Sequence, residues 1–322
     1  MEAVITTGSG GPEVLRVDAV PDPQASADEI LLAVAAAGVN RADLLQRQGF
    51  YPPPAGASPI LGLECSGRVR SGAGPWQPGT PVCALLTGGG YAQRVSVPVG
   101  QVMPLPDGVD LTTAAGLPEV ACTVYSNLAM VAGLTVGEWV LIHGGAGGIG
   151  TFAIQWARAI GARVAVTAGS AAKLARCAEL GAEVLIDYRE QDFTAEMKKA
   201  TDGRGADVIL DVMGAKYLGA NLAALAVGGR LVVIGLQGGI KAELNLNTLL
   251  MKRAAIMATS LRSRPAEEKA DICRRVVADV WPLIAAGEIR PVIDRVLPLA
   301  DVAVAHQLMA DSAHVGKILL TV

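Results

Sequence analysis

The chain has 322 residues, of which 51% are hydrophobic and 18% are charged, and its formal net charge is −3. This composition is typical of a soluble globular protein long enough for two domains, each with its own core. The small negative charge, without a dense cluster of Lys and Arg, argues against nucleic acid or an anionic membrane as a partner.

The N-terminal residues Met1–Ile5 carry no basic segment followed by a long apolar one, so the sequence predicts no secretory signal. No apolar run approaches the roughly 18–20 residues of a membrane span. We therefore expect a cytoplasmic protein.

Residues 1–120 have the character of a β-rich domain. Runs such as Glu29–Val34 and Gln93–Val97 favour strands, and Gly and Pro clusters such as Gly10–Pro12 and Tyr51–Pro54 separate them. Short strands between turns predict a compact, largely antiparallel or barrel-like domain.

Residues 121–261 alternate between strand and helix patterns. The predicted strands are Val140–Ile142, Arg163–Thr167, Val184–Ile186, Asp207–Asp211, Leu231–Ile234 and Ala255–Ser260. Such alternation predicts a Rossmann-type, doubly wound parallel sheet, which binds cofactors at the carboxyl ends of its strands.

Residues 262–322 return to a mixed pattern. Ala266–Ala286 is predicted as one long helix, and Gly316–Val322 as a strand. Because a terminal strand needs a sheet partner, we expect this tail to rejoin the first domain. The expected organisation is a substrate domain of residues 1–120 and 262–322, with a cofactor domain of residues 121–261 inserted in it.

The most informative motif follows the strand at Val140–Ile142. Gly145-x-Gly147-x-x-Gly150 lies between a strand and the start of an amphipathic helix, which is the context of a dinucleotide-binding loop. We expect Gly145 to allow the tight turn, Gly147 to allow the pyrophosphate to approach, and Gly150 to allow close packing of helix on strand. The N–H groups at the start of the helix are expected to bind the phosphates.

The end of the second strand predicts which dinucleotide binds. NAD sites of this type carry Asp or Glu about 20 residues after the glycine motif. Here no acidic residue occurs between Gly150 and Glu179, and the strand ends in Gly169 and Ser170. Lys173 is either a surface lysine or a cation for the 2′-phosphate. The sequence therefore favours NADPH over NADH.

Several further segments resemble a known family over essentially the whole chain. These are Ala37–Asp43, Gly49–Tyr51, Leu61–Val69 and the ending Gly316–Ile318, together with the glycine loop. The chain is similar to the zinc-independent medium-chain dehydrogenases/reductases, in the quinone oxidoreductase (zeta-crystallin-like) branch. The resemblance implies an α/β protein in which a GroES-like, partly open barrel forms the substrate domain beside the Rossmann domain.

The chain departs from the related zinc alcohol dehydrogenases at their ligand positions. Those enzymes have Cys where this chain has Asn40, and Gly-His-Glu where it has Gly62-Leu63-Glu64. Leu63 has no ligating atom, and Asn40 is a poor zinc ligand. The five cysteines are odd in number and lack C-x-x-C spacing, which argues against disulfides and a four-cysteine zinc site. We expect no metal.

Tyr51 and Asn40 are the candidate catalytic residues. The resemblance places Tyr51 near the nicotinamide, where its phenol would hydrogen-bond an acceptor oxygen or the carboxamide; alternatively it is a turn tyrosine packed on prolines. Asn40 is either a polar contact to substrate or nicotinamide, or the N-cap of the following helix. His143 is expected to be a hydrogen-bonded residue at a strand end.

The glycine motif, the cofactor argument and the resemblance together imply one set of cofactor-binding residues. The set is Asn40, Tyr51, Thr123, Gly145, Ala146, Gly147, Gly148, Ile149, Gly150, Gly169, Ser170, Lys173, Tyr188, Gly235, Leu236, Gln237, Ser260, Leu261, Arg262 and Lys317.

Three functional hypotheses follow. The first is an NADPH-dependent quinone oxidoreductase, because hydride transfer without a metal needs an already electrophilic acceptor. The second is a reductase of enone or enoyl-thioester double bonds. The third is an NADPH-binding structural or regulatory protein, since the family has supplied lens crystallins. By analogy we also expect a homodimer, formed by an edge strand near Ala255–Ser260.

Overall fold

The computed structural model describes residues 1–72 and 74–322, which form two compact units. The first unit contains Met1–Cys122, Leu261–Gly287 and Pro291–Val322, and the second contains Thr123–Ser260 and Glu288–Arg290. The assignment of substrate binding to one part of the chain and cofactor binding to the other stays a prediction.

The strands are, in chain order, β1 Glu2–Thr6, β2 Leu15–Ala19, β3 Glu29–Gly38, β4 Glu64–Gly72, β5 Pro81–Leu85, β6 Arg94–Pro98, β7 Val102–Pro104, β8 Trp139–His143, β9 Arg163–Ala168, β10 Val184–Asp187, β11 Ala206–Asp211, β12 Leu225–Val233, β13 Ala255–Ala258, β14 Ile293–Pro298 and β15 Lys317–Thr321.

The α-helices are α1 Arg41–Arg47, α2 Leu111–Ala114, α3 Pro118–Val124, α4 Gly148–Ala159, α5 Ala171–Leu180, α6 Phe193–Ala200, α7 Leu218–Ala224, α8 Leu246–Lys252, α9 Ala266–Asp279, α10 Trp281–Ala285 and α11 Val302–Ala310. A π-helical segment, Tyr125–Val131, follows α3.

The first unit is built on a mostly antiparallel sheet with the order β14-β15-β3-β4-β5-β7, and β6 also pairs with β3. Along β3, buried and half-buried residues alternate, as expected for a strand with one face on a core. The C-terminal strand β15 pairs antiparallel with β3, so the tail rejoins the β-rich part of the chain, as predicted from its need for a sheet partner.

The second unit contains a parallel six-stranded sheet with the order β10-β9-β8-β11-β12-β13. All five residues of β8 are buried, because helices cover both faces of such a sheet. This confirms the predicted doubly wound α/β fold. The order reverses next to β8, which places the loop after β8 at the switch point where such sheets bind ligands.

One predicted element is wrong in its extent. The helix expected over Ala266–Ala286 is divided into α9 and α10, with Val280 between them. Pro282 has no N–H to donate to the carbonyl of Ala278, and its ring would clash with that carbonyl in a continuous helix. Its place in the first turn of α10, where an N–H is dispensable, explains why a new helix begins there.

Within the described residues, no helix is both long enough and apolar enough to cross a bilayer.

Candidate active site

The glycine loop connects β8 to α4 in the second unit. The residue with a left-handed backbone is Gly144, at φ +73°, so the tight turn lies one residue before the predicted Gly145. A Cβ on Gly145 would lie 2.8 Å from Val166, and one on Gly150 would lie 2.4 Å from the carbonyl oxygen of Gly144. Both glycines are therefore required by the packing of the loop itself.

Gly147 differs from its neighbours because nothing in the protein crowds it. It lies at the N-cap of α4 with an extended backbone, and a Cβ there would meet only the oxygen of Gly144, at an ordinary 3.5 Å. The chain's own packing does not require glycine at this position. Glycine is needed at position 147 if a pyrophosphate must approach the backbone there. Ala146 is buried in the loop, and Gly148 and Ile149 begin α4.

The end of β9 brings four predicted cofactor residues together. Ser170 caps α5, and its hydroxyl accepts a hydrogen bond from the backbone N–H of Lys173 at 3.4 Å. Tyr188 follows β10, and a Cβ on Gly169 would lie 2.5 Å from its phenol oxygen. No carboxylate ends β9 itself, and the nearest strand-end carboxylate in the register is Asp187 of β10, opposite Ala168.

Gly235, Leu236 and Gln237 follow β12 at the same edge of the sheet. Gly235 packs against the backbone of Val212, and Gln237 donates its N–H to the Val212 carbonyl at 3.2 Å. The side chain of Leu236 is exposed. Asp211, missed in the sequence analysis, ends β11 and holds this region by accepting hydrogen bonds from two backbone N–H groups.

Thr123 is tied to the end of β13 through one asparagine. Asn127 donates its side-chain N–H to the Thr123 carbonyl at 2.8 Å and accepts the hydroxyl of Thr259 at 2.6 Å. Ser260 is the next residue, so the structure brings Thr123 and Ser260 into one neighbourhood. Their contact with a cofactor stays a prediction.

His143, at the end of β8, is a structural residue. Its ring nitrogens lie 3.1 Å from the Thr167 hydroxyl and 2.8 Å from the Asn221 side-chain oxygen. Burial lowers the pKa of His143 from 6.5 to about 4, so the ring is neutral near pH 7. This agrees with the expected role as a hydrogen-bonded strand end.

In the first unit, the buried Glu64 and Lys317 and the half-buried Asn40 form a polar group, here called the Glu64 cluster. Glu64 begins β4 and Lys317 begins β15, and Asn40 precedes α1. The Lys317 ammonium lies 2.5 Å from Glu64 Oε1 and 2.8 Å from Asn40 Oδ1. Asn40 Nδ2 donates to Glu64 Oε1 at 2.9 Å, and the N–H of Glu119 donates to Glu64 Oε2 at the same distance.

The predicted helix start is present, and Asn40 is the N-cap of α1 in a capping box with Asp43. The Asp43 carboxylate accepts the backbone N–H of Asn40 at 2.8 Å, and the Asn40 amide also donates to Glu64. Asp43 also accepts from Gly62 N–H and from the Tyr91 hydroxyl, each at 3.0 Å. Burial raises the pKa of Asp43 from 3.8 to about 6.

Sequence analysis missed the partners of Asp43. The Tyr91 hydroxyl lies 3.4 Å from Nε2 of His306, and the Arg47 guanidinium lies 3.3 Å from Nδ1 of the same ring. These residues come from distant parts of the chain, and no local spacing links them. Burial raises the pKa of Glu119, also missed, from 4.5 to about 8, and the charge of Glu64 adds to this effect.

Tyr51 and Arg262 contact each other. The Arg262 guanidinium lies 5.3 Å from the centre of the Tyr51 ring, which is a cation–π arrangement. It also donates to the carbonyl of Thr87 at 2.8 Å and to the Gln46 side-chain oxygen at 2.7 Å. Arg262 is therefore held rigidly beside the candidate catalytic tyrosine. Leu261, next to it, is buried.

Within the part of the chain that the structure describes, no group of three or more His, Cys, Asp or Glu side chains is arranged to hold a metal ion.

Two family models match the chain. One, described as "Alcohol dehydrogenase GroES-like domain", covers residues 26–107, and the other, described as "Zinc-binding dehydrogenase", covers residues 148–277.

Among curated proteins, the quinone oxidoreductase of Rattus norvegicus is 31% identical over 99% of this chain and 97% of its own length. A phenolphthiocerol/phthiocerol polyketide synthase of Mycobacterium tuberculosis is also 31% identical, over 96% of this chain, but the chain spans only 14% of that protein.

Two solved structures are similar over nearly the whole chain. The Escherichia coli quinone oxidoreductase complexed with NADPH has a TM-score of 0.91 and 28% identity, with 100% of both chains covered. The CurK enoyl reductase has a TM-score of 0.87 and 26% identity, with 99% of this chain and 98% of the other covered.

Proposed function

Because the chain belongs to the medium-chain dehydrogenases/reductases, in the quinone oxidoreductase-like branch, we propose that it is an NADPH-dependent quinone oxidoreductase. The cofactor is NADPH, which is bound in the solved Escherichia coli relative. We further propose that the acceptor of the hydride is a quinone.

One observation carries the cofactor assignment: β9 leads into Gly169 and Ser170 without the carboxylate that binds the adenosine ribose in NAD sites. Lys173 follows in the first turn of α5, and the Tyr188 hydroxyl lies next to Gly169. The uncrowded Gly147 supports the same fit, because it leaves the backbone open to a pyrophosphate.

The residues of the chain would perform separate tasks. The N–H groups at the start of α4 bind the pyrophosphate, and Ser170 with Lys173 binds the 2′-phosphate. Tyr51, held against Arg262, forms a wall for the acceptor and orients its oxygen. When bound, NADPH supplies the hydride, and the protein supplies alignment and exclusion of water.

The absence of a metal from the proposed mechanism rests on donor chemistry. Leu63 cannot ligate, and the Asn40 amide is already engaged by Glu64 and Lys317. A quinone needs no Lewis acid, since hydride addition gives a delocalised oxyanion that hydrogen bonds can stabilise.

A second candidate function is reduction of enone or enoyl-thioester double bonds, which the similarity to the CurK enoyl reductase favours. The test follows NADPH oxidation with an ortho-quinone, an alkenal and an enoyl-CoA in parallel. We expect fast turnover of the quinone. Turnover of only the other two would replace the first candidate with the second, and tight NADPH binding without turnover would indicate the structural or regulatory role.

We also propose a homodimer formed through the second unit. β13 is the edge strand of the parallel sheet, and α8 exposes Leu246, Leu250 and Met251 at 67–70%. An open edge beside exposed apolar side chains is typical of an interface. Light scattering at micromolar concentration is expected to give a dimer mass, and Leu250→Glu a monomer; a monomeric wild type would contradict the proposal.

A further inference from the structure

A segment of the second unit, residues 240–246, has the sequence pattern of a strand but lies in no sheet. It follows the loop after β12 and ends at the first residue of α8. All seven residues are exposed, and the side chains at its two ends, Ile240 and Leu246, are 75% and 68% exposed. Apolar and polar residues alternate along it, as in a strand with one apolar face. Their order is Ile240, Lys241, Ala242, Glu243, Leu244, Asn245 and Leu246.

The backbone of the 240–246 segment is largely unpaired. Among the described residues, no hydrogen bond involves a backbone N–H or C=O group of residues 240–244. In the same part of the chain, neither Lys241 nor Glu243 takes part in an ion pair. Unpaired backbone groups beside exposed apolar side chains are the combination to which a second strand adds.

The charges of the segment select a second copy of itself as the partner. Two identical strands related by a two-fold axis pair antiparallel, and the residue on the axis lies opposite its own copy. With Ala242 on the axis, Lys241 lies opposite the partner's Glu243, and Ile240 lies opposite the partner's Leu244. Opposite charges that face each other across two strands stabilise the pairing, and so do facing apolar side chains.

The neighbouring registers are less favourable. An axis at Lys241 or at Glu243 puts two like charges directly opposite each other, which is destabilising. An axis at Leu244 leaves both charged residues without an opposite charge. An axis between two residues puts apolar side chains opposite polar ones, so that neither face of the ladder is apolar. The register centred on Ala242 is therefore the one that combines an apolar face with two ion pairs.

We infer that the 240–246 segments of two copies form an antiparallel ladder centred on Ala242, as part of the homodimer interface. This inference rests on the dimer in the proposed function and adds the segment and its register. The segment leads directly into α8, whose exposed Leu250 and Met251 belong to the surface already proposed for the dimer. Because each copy contributes the same segment, the pairing closes at two copies.

The test reverses charges in the full-length protein. Lys241→Glu places glutamates opposite each other at two symmetry-related points, and Glu243→Lys places lysines there. Each variant is expected to dimerise about tenfold more weakly in analytical ultracentrifugation at low ionic strength, because two cross-strand pairs change together. The double variant Lys241→Glu/Glu243→Lys is expected to regain the wild-type dissociation constant.

Mixing the two single variants separates pairing between copies from pairing within one copy. A heterodimer of Lys241→Glu with Glu243→Lys regains both pairs of opposite charges, whereas each homodimer has only like charges. With one variant isotope-labelled, native mass spectrometry is expected to show heterodimers in clear excess over the two homodimers. An ion pair within one chain explains recovery in the double variant but does not produce this excess.

Lys199→Glu is the matched control. It makes the same charge change at an exposed residue of α6, which follows β10 at the opposite edge of the sheet from β13. This variant is expected to dimerise like the wild type.

Unchanged dissociation constants in both charge reversals, or random pairing in the mixture, would overturn the ladder and leave a dimer through β13 and α8 standing. Assemblies larger than a dimer would also overturn it, because isologous pairing closes. A monomeric wild type would overturn the dimer and the ladder together. NADPH oxidation with a quinone, measured separately, decides the proposed activity independently of all these results.

Discussion

Removal of the Lys317 ammonium is expected to destabilise the protein strongly. Glu64 is fully buried, and Lys317 is its only ion-pair partner among the described residues. The remaining partners of the carboxylate are the neutral N–H groups of Asn40 and Glu119. Breaking a buried pair from one side costs about 3–5 kcal/mol, because it leaves an uncompensated charge. Lys317→Met keeps most of the side-chain volume, so the charge accounts for most of this cost.

The companion variant Glu64→Gln separates charge from packing. In Lys317→Met/Glu64→Gln no charge is left unpaired, and we expect the double variant to be more stable than the sum of the two single changes by about 1–3 kcal/mol. Urea unfolding followed by circular dichroism measures each free energy. Hydrogen exchange of the β15 amides assigns the loss to the first unit, because a chain with two compact units need not unfold in one step.

The exposed pair Arg16–Asp18 is the control. Its side chains are 60% and 44% exposed, and Arg16→Met is expected to change stability by no more than about 1 kcal/mol. A similarly small effect of Lys317→Met, or strict additivity in the double variant, would refute the reasoning. Either result would mean that the Lys317 ammonium contributes little to the stability of the folded chain around Glu64.

Three further predictions concern the second unit. Gly147→Ala is expected to fold normally but bind NADPH at least tenfold more weakly in a fluorescence titration, whereas Gly150→Ala lowers Tm because of its 2.4 Å contact; equal NADPH affinity of Gly147→Ala and wild type would contradict the first part. Ser170→Asp is expected to reverse the preference to NADH, since a carboxylate repels the 2′-phosphate, and unchanged kcat/KM ratios for the two cofactors would count against this. Because the pKa of His143 falls to about 4 on folding, the unfolded chain binds the proton first. Wild type should therefore lose up to about 3 kcal/mol more than His143→Gln between pH 6.5 and 4 in urea titrations; parallel pH profiles would refute it.

Local sequence patterns were sufficient for the second unit. The apolar run of β8, the glycines after it and the amphipathic α4 are contiguous, so spacing alone indicated the strand, the loop and the helix. The tight turn of the loop was predicted at Gly145, but Gly144 is the residue that adopts the left-handed conformation.

In the first unit, the helix over Ala266–Ala286 was predicted too long, because the apolar periodicity was given more weight than Pro282.

The sequence by itself determined the α/β fold, because periodicity and glycine spacing act between residues close in the chain. It also indicated that the C-terminal strand pairs with the β-rich part, because a strand needs a sheet partner, but not that this partner is β3. Only the tertiary structure decided how Asn40 is used. Glu64 and Lys317 are 253 positions apart, and they meet because β4 and β15 both pair with β3. The direction of one amide is set by that meeting of two buried opposite charges, which no local pattern encodes.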